Sequence, residues 1–121
     1  MQLLLVDSIT EALATGAGHI VVSGSHGGIS AGHFALRARP TIVVFNDAGV
    51  GKDGAGVAAL ALLQSAAIAA CTVAHTSACI GDARSTFDDG VISHANSAAA
   101  ALGASPGLRL RQWIDGLCAE S

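Results

Sequence analysis

Short apolar runs alternate with alanine-rich runs along the chain, and the apolar runs give way to glycine-rich polar stretches. Leu3-Leu4-Leu5-Val6 predicts an opening strand. Asp7-Ser8-Ile9-Thr10 then starts a short helix, with Ser8 or Asp7 as cap and Glu11 near the positive end of the dipole. His19-Ile20-Val21-Val22-Ser23 predicts a second strand that runs into Gly24-Ser25-His26-Gly27-Gly28. Helix is expected from Ile29 to Arg37, and Pro40, which lacks an amide proton, breaks it. Thr41 to Phe45 is the clearest strand. It leads through Asn46-Asp47-Ala48-Gly49-Val50-Gly51-Lys52-Asp53-Gly54 to a helix beginning at about Ala55. The third unit is a strand at Ala70 to Ala74, a loop from His75 to Asp82, and a helix expected to cover Val91 to Leu102. Asp88-Asp89 reads as the acidic start of that helix. Leu108 to Cys118 predicts a last helix, with Pro106 near its first turn.

The strands are apolar without clean alternation, the pattern of strands covered on both faces in a parallel sheet. Strand, loop and helix recur three times. This predicts an α/β fold: a doubly wound, three-layer sandwich around a short, mostly parallel sheet, of the flavodoxin-like or Rossmann-like kind, as a single domain over 1–121. Right-handed crossovers would bring the three loops together at one edge, the carboxyl ends of the strands.

Composition narrows the function. Of 121 residues, 51% are apolar and 12% are charged, about half the roughly 25% of ordinary soluble domains. So apolar a chain is not a disordered tail. The net charge is -3, the six basic residues do not cluster, and aromatics are 3% with no Tyr. Nucleic-acid binding is therefore not expected. Gly54 to Gly81 has no formal charge with His75 neutral and exceeds the ~20 residues of a membrane span. Its polar residues Gln64, Thr72, His75 and Thr76, its weakly hydrophobic alanines and its change from helical to strand texture argue against a span. No basic flank would orient it, so no membrane partner is expected. Three cysteines without CxxC spacing and no signal-like N-terminus suggest a cytoplasmic protein. The run Val57 to Leu63 is apolar all round and Ser97 to Leu102 is bland, so helix faces are expected to pair in a homo-oligomer.

The scarce polar chemistry falls in the three loops. In the first, Gly24, Ser25, Gly27 and Gly28 are candidate ligand contacts through their amides. His26 is a candidate general acid or base, metal ligand or phosphoryl acceptor, or simply a residue of a tight turn. In the second, Lys52, the chain's sole lysine, suits a carboxylate or phosphate, and a solvated surface role fits as well. Asn46 and Gly49 are candidate binding residues. Asp47, at a strand's carboxyl end, is placed to orient a histidine or act as a base, and equally to form an Asx turn. The loop is not a Walker A motif. Asn46 stands where glycine is needed and Asp53 where the magnesium-binding hydroxyl belongs. Gly49-x-Gly51-x-x-Gly54 matches a dinucleotide pattern, but no acidic residue follows at the ribose position.

In the third loop, His75 and Ser77 are candidate catalytic residues, and Thr76, Cys79 and Asp82 candidate binding residues. Ser77 or Cys79 as nucleophile would need a histidine base and an orienting acid. Cys79 also reads as a small buried residue. No cofactor is predicted. A divalent metal held by His26, His75, Asp82 and His94 is possible, although no two ligands are preorganised on one helix. His19 and His33 read as structural, and Arg84 as a substrate clamp or a solvated side chain.

The expected function is a small-molecule enzyme, a hydrolase or isomerase. It would perform acid/base or acyl chemistry on a small, anionic or polar carboxylate or amide. The strand ending in Ser25-His26-Gly27 resembles the start of the mannose-type sugar phosphotransferase domains. Over those few residues the resemblance implies a phosphohistidine carrier with His26 as acceptor. An anion- or nucleotide-binding regulatory module is the third class.

Overall fold

The computed structural model describes residues 1–120. Five strands form one sheet in the order β1-β2-β3-β4-β5: β1 Leu3–Val6, β2 Ile20–His26, β3 Ile42–Asn46, β4 Ala69–Val73 and β5 Ile92–Ala95. The first four run parallel and β5 lies antiparallel against β4. The helices are α1 Ile29–Ala38, α2 Ala58–Ser65, α3 Ala83–Asp89, α4 Ser97–Ala101 and α5 Leu110–Glu120. Two 3-10 turns, Ile9–Ala12 and Lys52–Val57, complete the connectors. Ser8 caps the first of these in a capping box with Glu11.

The expected three-layer α/β architecture is present, and alternation along the strands divides its core in two. Val21, Val43, Phe45 and Ala70 face the first 3-10 turn, α1 and α2. Ile20, Val22, Ile42, Val44, Cys71 and Val73 face Phe87 of α3 and Trp113 and Ile114 of α5. The strand order follows from the connections. Consecutive parallel strands laid down side by side, with crossovers of one hand, put every connector on one face. This order differs from the flavodoxin and Rossmann orders, which reverse between parallel strands.

The segment Val91 to Leu102 is not one helix. Ile92-Ser93-His94-Ala95 is strand, pairing Thr72 with His94 and Cys71 with Ala95. Sheet hydrogen bonds to β4 outweigh the helical preference of the flanking alanines. Asn96 then caps α4, accepting from the Ala99 amide at 2.9 Å. Asp88 and Asp89 accordingly end α3 instead of starting a helix. Asp88 is compensated there by Arg111 at 2.9 Å and Arg84 at 4.0 Å. Segment 54–81 forms a 3-10 turn, a short helix and a buried strand. No helix among the described residues is long and apolar enough to cross a membrane.

Candidate functional site

β3 and β4 lie side by side, and their connectors leave in opposite directions. The β3 connector goes to α2 on one face, and the β4 connector, segment 74–82, goes to α3 on the other. A crevice is expected outside the carboxyl ends of strands where connectors part in this way. Two residues close the end of β3. Asn46 is fully buried. Its Oδ1 accepts from the Ala48 amide at 2.8 Å and its Nδ2 donates to the Ala78 carbonyl at 3.1 Å, fastening the second loop to the third.

Asp47 is only 4% exposed. Its amide donates to the Val73 carbonyl at 2.9 Å, which carries the β3–β4 pairing one residue further. Its Oδ1 accepts from the amides of Gly49 at 2.8 Å and His75 at 3.0 Å. The same oxygen lies 3.4 Å from Nδ1 of His75, whose side chain is 55% exposed. Burial pushes the Asp47 carboxyl up. Hydrogen bonds from Gly49, the Ser93 hydroxyl and the His75 amide, with the charge of His75, outweigh it and hold the group below its ordinary value of 3.8. Gly49, at φ +77, a backbone conformation that suits glycine, turns its amide onto the carboxylate.

The carboxylate thus lies beside the edge of the ring that bears Nδ1. A cleft of about 510 Å³ opens beside it, lined in part by His75, Thr76, Ser77, Cys79, Ser85 and Asp89. The lining includes no lysine or arginine. Backbone strain gathers next to the pair. Ala48, Val50 and Asp53 have φ of 52, 68 and 56, in the left-handed region, and Val50 is β-branched. Such residues persist only where the surroundings hold them. Here the Val50 amide bonds the Asp47 carbonyl at 2.7 Å, and the Gly56 amide bonds the Val50 carbonyl at 2.6 Å.

Of the residues expected to carry chemistry, Asn46, Asp47, Gly49, His75, Thr76, Ser77 and Cys79 come together here. The Ser77 hydroxyl is engaged on both sides, donating to the Ala74 carbonyl at 2.7 Å and accepting from the Val91 amide at 3.0 Å. Cys79 is exposed rather than buried, and its amide donates to Ser85 Oγ at 2.9 Å. Lys52 is exposed at the start of its 3-10 turn and does not line the cleft. Asp82 caps α3 through the Ser85 amide at 3.0 Å.

The first loop divides. Gly24 is a packing glycine: an added Cβ would collide with the backbone of Gly81 and Asp82, and its carbonyl accepts from the Gly81 amide at 2.7 Å. The Gly27 amide is taken by the Asn46 carbonyl at 2.9 Å, and the Gly28 amide donates to Nδ1 of His26 at 3.2 Å. Ser25 and His26 line a separate pocket beside α1. His26, His75, Asp82 and His94 are not gathered. No group of three or more His, Cys, Asp or Glu side chains among the described residues could hold a metal ion. His19 accepts from the Gln2 amide at 2.9 Å, in keeping with a structural role.

Sequence reasoning missed Ser93, Ser85 and Asp89. The signal for Ser93 was the step from apolar Ile92 to polar Ser93, whose hydroxyl bonds that of Thr72 at 2.8 Å. In comparisons with protein-family models, curated proteins and solved structures, no match to this chain was found.

Proposed function

We propose that the chain is a small-molecule enzyme that moves a proton at His75, with Asp47 as the residue that orients it. One observation carries the reading. A buried carboxylate held ionised lies 3.4 Å from Nδ1 of a half-exposed histidine, on the wall of the 510 Å³ cleft where the β3 and β4 connectors part. An anionic partner at Nδ1 favours the tautomer whose Nε2 carries the lone pair, as a general base requires. The reaction class is hydrolysis with His75 activating water, or isomerisation with His75 relaying a proton on a small amide or carbonyl compound. No serine nucleophile is invoked, since the Ser77 proton is committed to Ala74.

The test is a screen of small amides, esters and carbonyl compounds with an exchangeable α-proton. Turnover by the wild type that falls at least a hundredfold in both His75→Ala and Asp47→Asn, with the fold retained, supports the reading. Turnover that survives in His75→Ala overturns it. We also propose that copies of the chain associate, which the exposed Ile29 and Leu102 and the sparse charge support. A monodisperse monomer at micromolar concentration in sedimentation would refute association. Cys71 and Cys79, neither of them in a disulfide, fit a cytoplasmic setting.

A further inference from the structure

A second pocket, of about 170 Å³, lies beside β2 between the 3-10 turn Ile9–Ala12 and α1. It is lined by Ser8, Thr10, Ser25, His26 and Ser30, closed on its apolar side by Ile9, Ala31 and Phe34. We propose that it is a binding site for a phosphate-sized oxyanion, separate from the Asp47–His75 cleft. The inference does not depend on the function proposed for that cleft.

Ser25 Oγ accepts from the Ile9 amide at 3.0 Å, so its own proton remains to be donated. Nδ1 of His26 accepts from the Gly28 amide at 3.2 Å, so the neutral ring carries its proton on Nε2. Gly28 makes this possible, because a Cβ there would lie 2.8 Å from the His26 ring. The hydroxyls of Ser8 and Thr10 bond each other at 2.9 Å. One bond uses one of their two protons and leaves the other. Ser30 adds a hydroxyl. Several donors therefore face one small space, and no carboxylate lines it. Of the acids adjacent in sequence, Glu11 accepts from the Ser8 amide at 2.8 Å and Asp7 from the Ala83 amide at 3.0 Å. A ligand that accepts on every side, a tetrahedral oxyanion, matches this set. At about 30 Å³ per water, the pocket's 170 Å³ corresponds to roughly six waters, which suits a phosphoryl group.

The probes are inorganic phosphate and glycerol phosphate, titrated into the full chain labelled with 15N. Saturable shifts at Ser25, His26 and Ser30 and at the His26 ring Nε2 are expected with one or both. Phosphate alone points to a free-anion site, and glycerol phosphate alone or binding more tightly points to a phosphomonoester. His26→Ala should weaken binding at least tenfold and Ser25→Ala severalfold. His75→Ala should leave it unchanged, which separates this site from the cleft. The absence of saturation up to tens of millimolar with both probes, or saturation that His26→Ala leaves intact, overturns the proposal. The ring Nε2 shift is read in the wild type, so the test survives a variant that fails to fold.

Discussion

Replacing Asp47 separates two contributions that this side chain makes. Its Oδ1 is the acceptor for the Gly49 and His75 amides. In Asp47→Ala both lose their partner at a part-buried position, and the two strand-end loops lose their common tie. A hydrogen bond to a charged group contributes about 1.5 kcal/mol at the low end, so two bonds give about 3 kcal/mol. Relief from burying the charge offsets part of this, leaving a loss of about 2–3 kcal/mol. Asp47→Asn keeps an oxygen acceptor and should cost no more than about 1 kcal/mol. Urea unfolding at pH 7, read by circular dichroism, measures both. The pH dependence follows from the lowered native pKa. Because the unfolded chain binds this proton more tightly, the ionised group's contribution is complete above about pH 3.8, its ordinary value. It is lost as pH falls through the lower native value. The stability gap between wild type and Asp47→Asn should therefore narrow below pH 3.8. Asp47→Ala within 0.5 kcal/mol of wild type, or Asp47→Asn as damaging as Asp47→Ala, would refute the role given to the carboxylate oxygen.

Three further outcomes are expected. Asn96 is buried and makes four side-chain bonds, accepting from Ala70 and Ala99 and donating to Leu60 and Ile68. Asn96→Ala should cost about 3–4 kcal/mol in chemical unfolding, since it strands two amides and two carbonyls. Ala67 is exposed just past α2 at φ 58, and Ala67→Gly should raise stability by about 0.5–1 kcal/mol, an increase in denaturation midpoint. Cys79 is exposed, whereas Cys71 is fully buried and its thiol is pushed up to about 12. A thiol reagent followed by peptide mapping should label Cys79 in the native protein and Cys71 only after unfolding.

The parallel strands were legible because their signals were local. Apolar runs bounded by glycine and polar residues marked β1 to β4, and Ser8 with Glu11 marked the first turn. β5 was not, because a four-residue strand beside an Ala-rich stretch is decided by its partner β4, which local propensity does not see. The common edge of the loops followed from parallel strands and handedness, and Asp47 and His75 were both named on that basis. Their pairing was not readable. It depends on the β4 connector crossing to the far face, a consequence of strand order. The same blindness grouped Lys52 and His26 with them. Repeated left-handed turns from Ala48 to Gly54 carry Lys52 clear of the cleft. Both neighbouring connectors at β2 pass to one face, so His26 stands where connectors do not part.

The division of the core also has a schedule. All four parallel strands, and every element covering one face, are complete by residue 73. The other face, with Ile20, Val22, Ile42 and Val44, waits for Phe87 and then for Trp113 and Ile114. At about 5–20 residues per second of synthesis, the forty-odd residues between leave that apolar surface without its α5 cover for roughly two to eight seconds. A growing chain thus completes one side before the other, and premature termination ahead of α5 releases a product whose second face is covered only in part, by α3 and α4. Such a fragment is a natural client for chaperones and a nucleus for aggregation, although its cleft residues are already present.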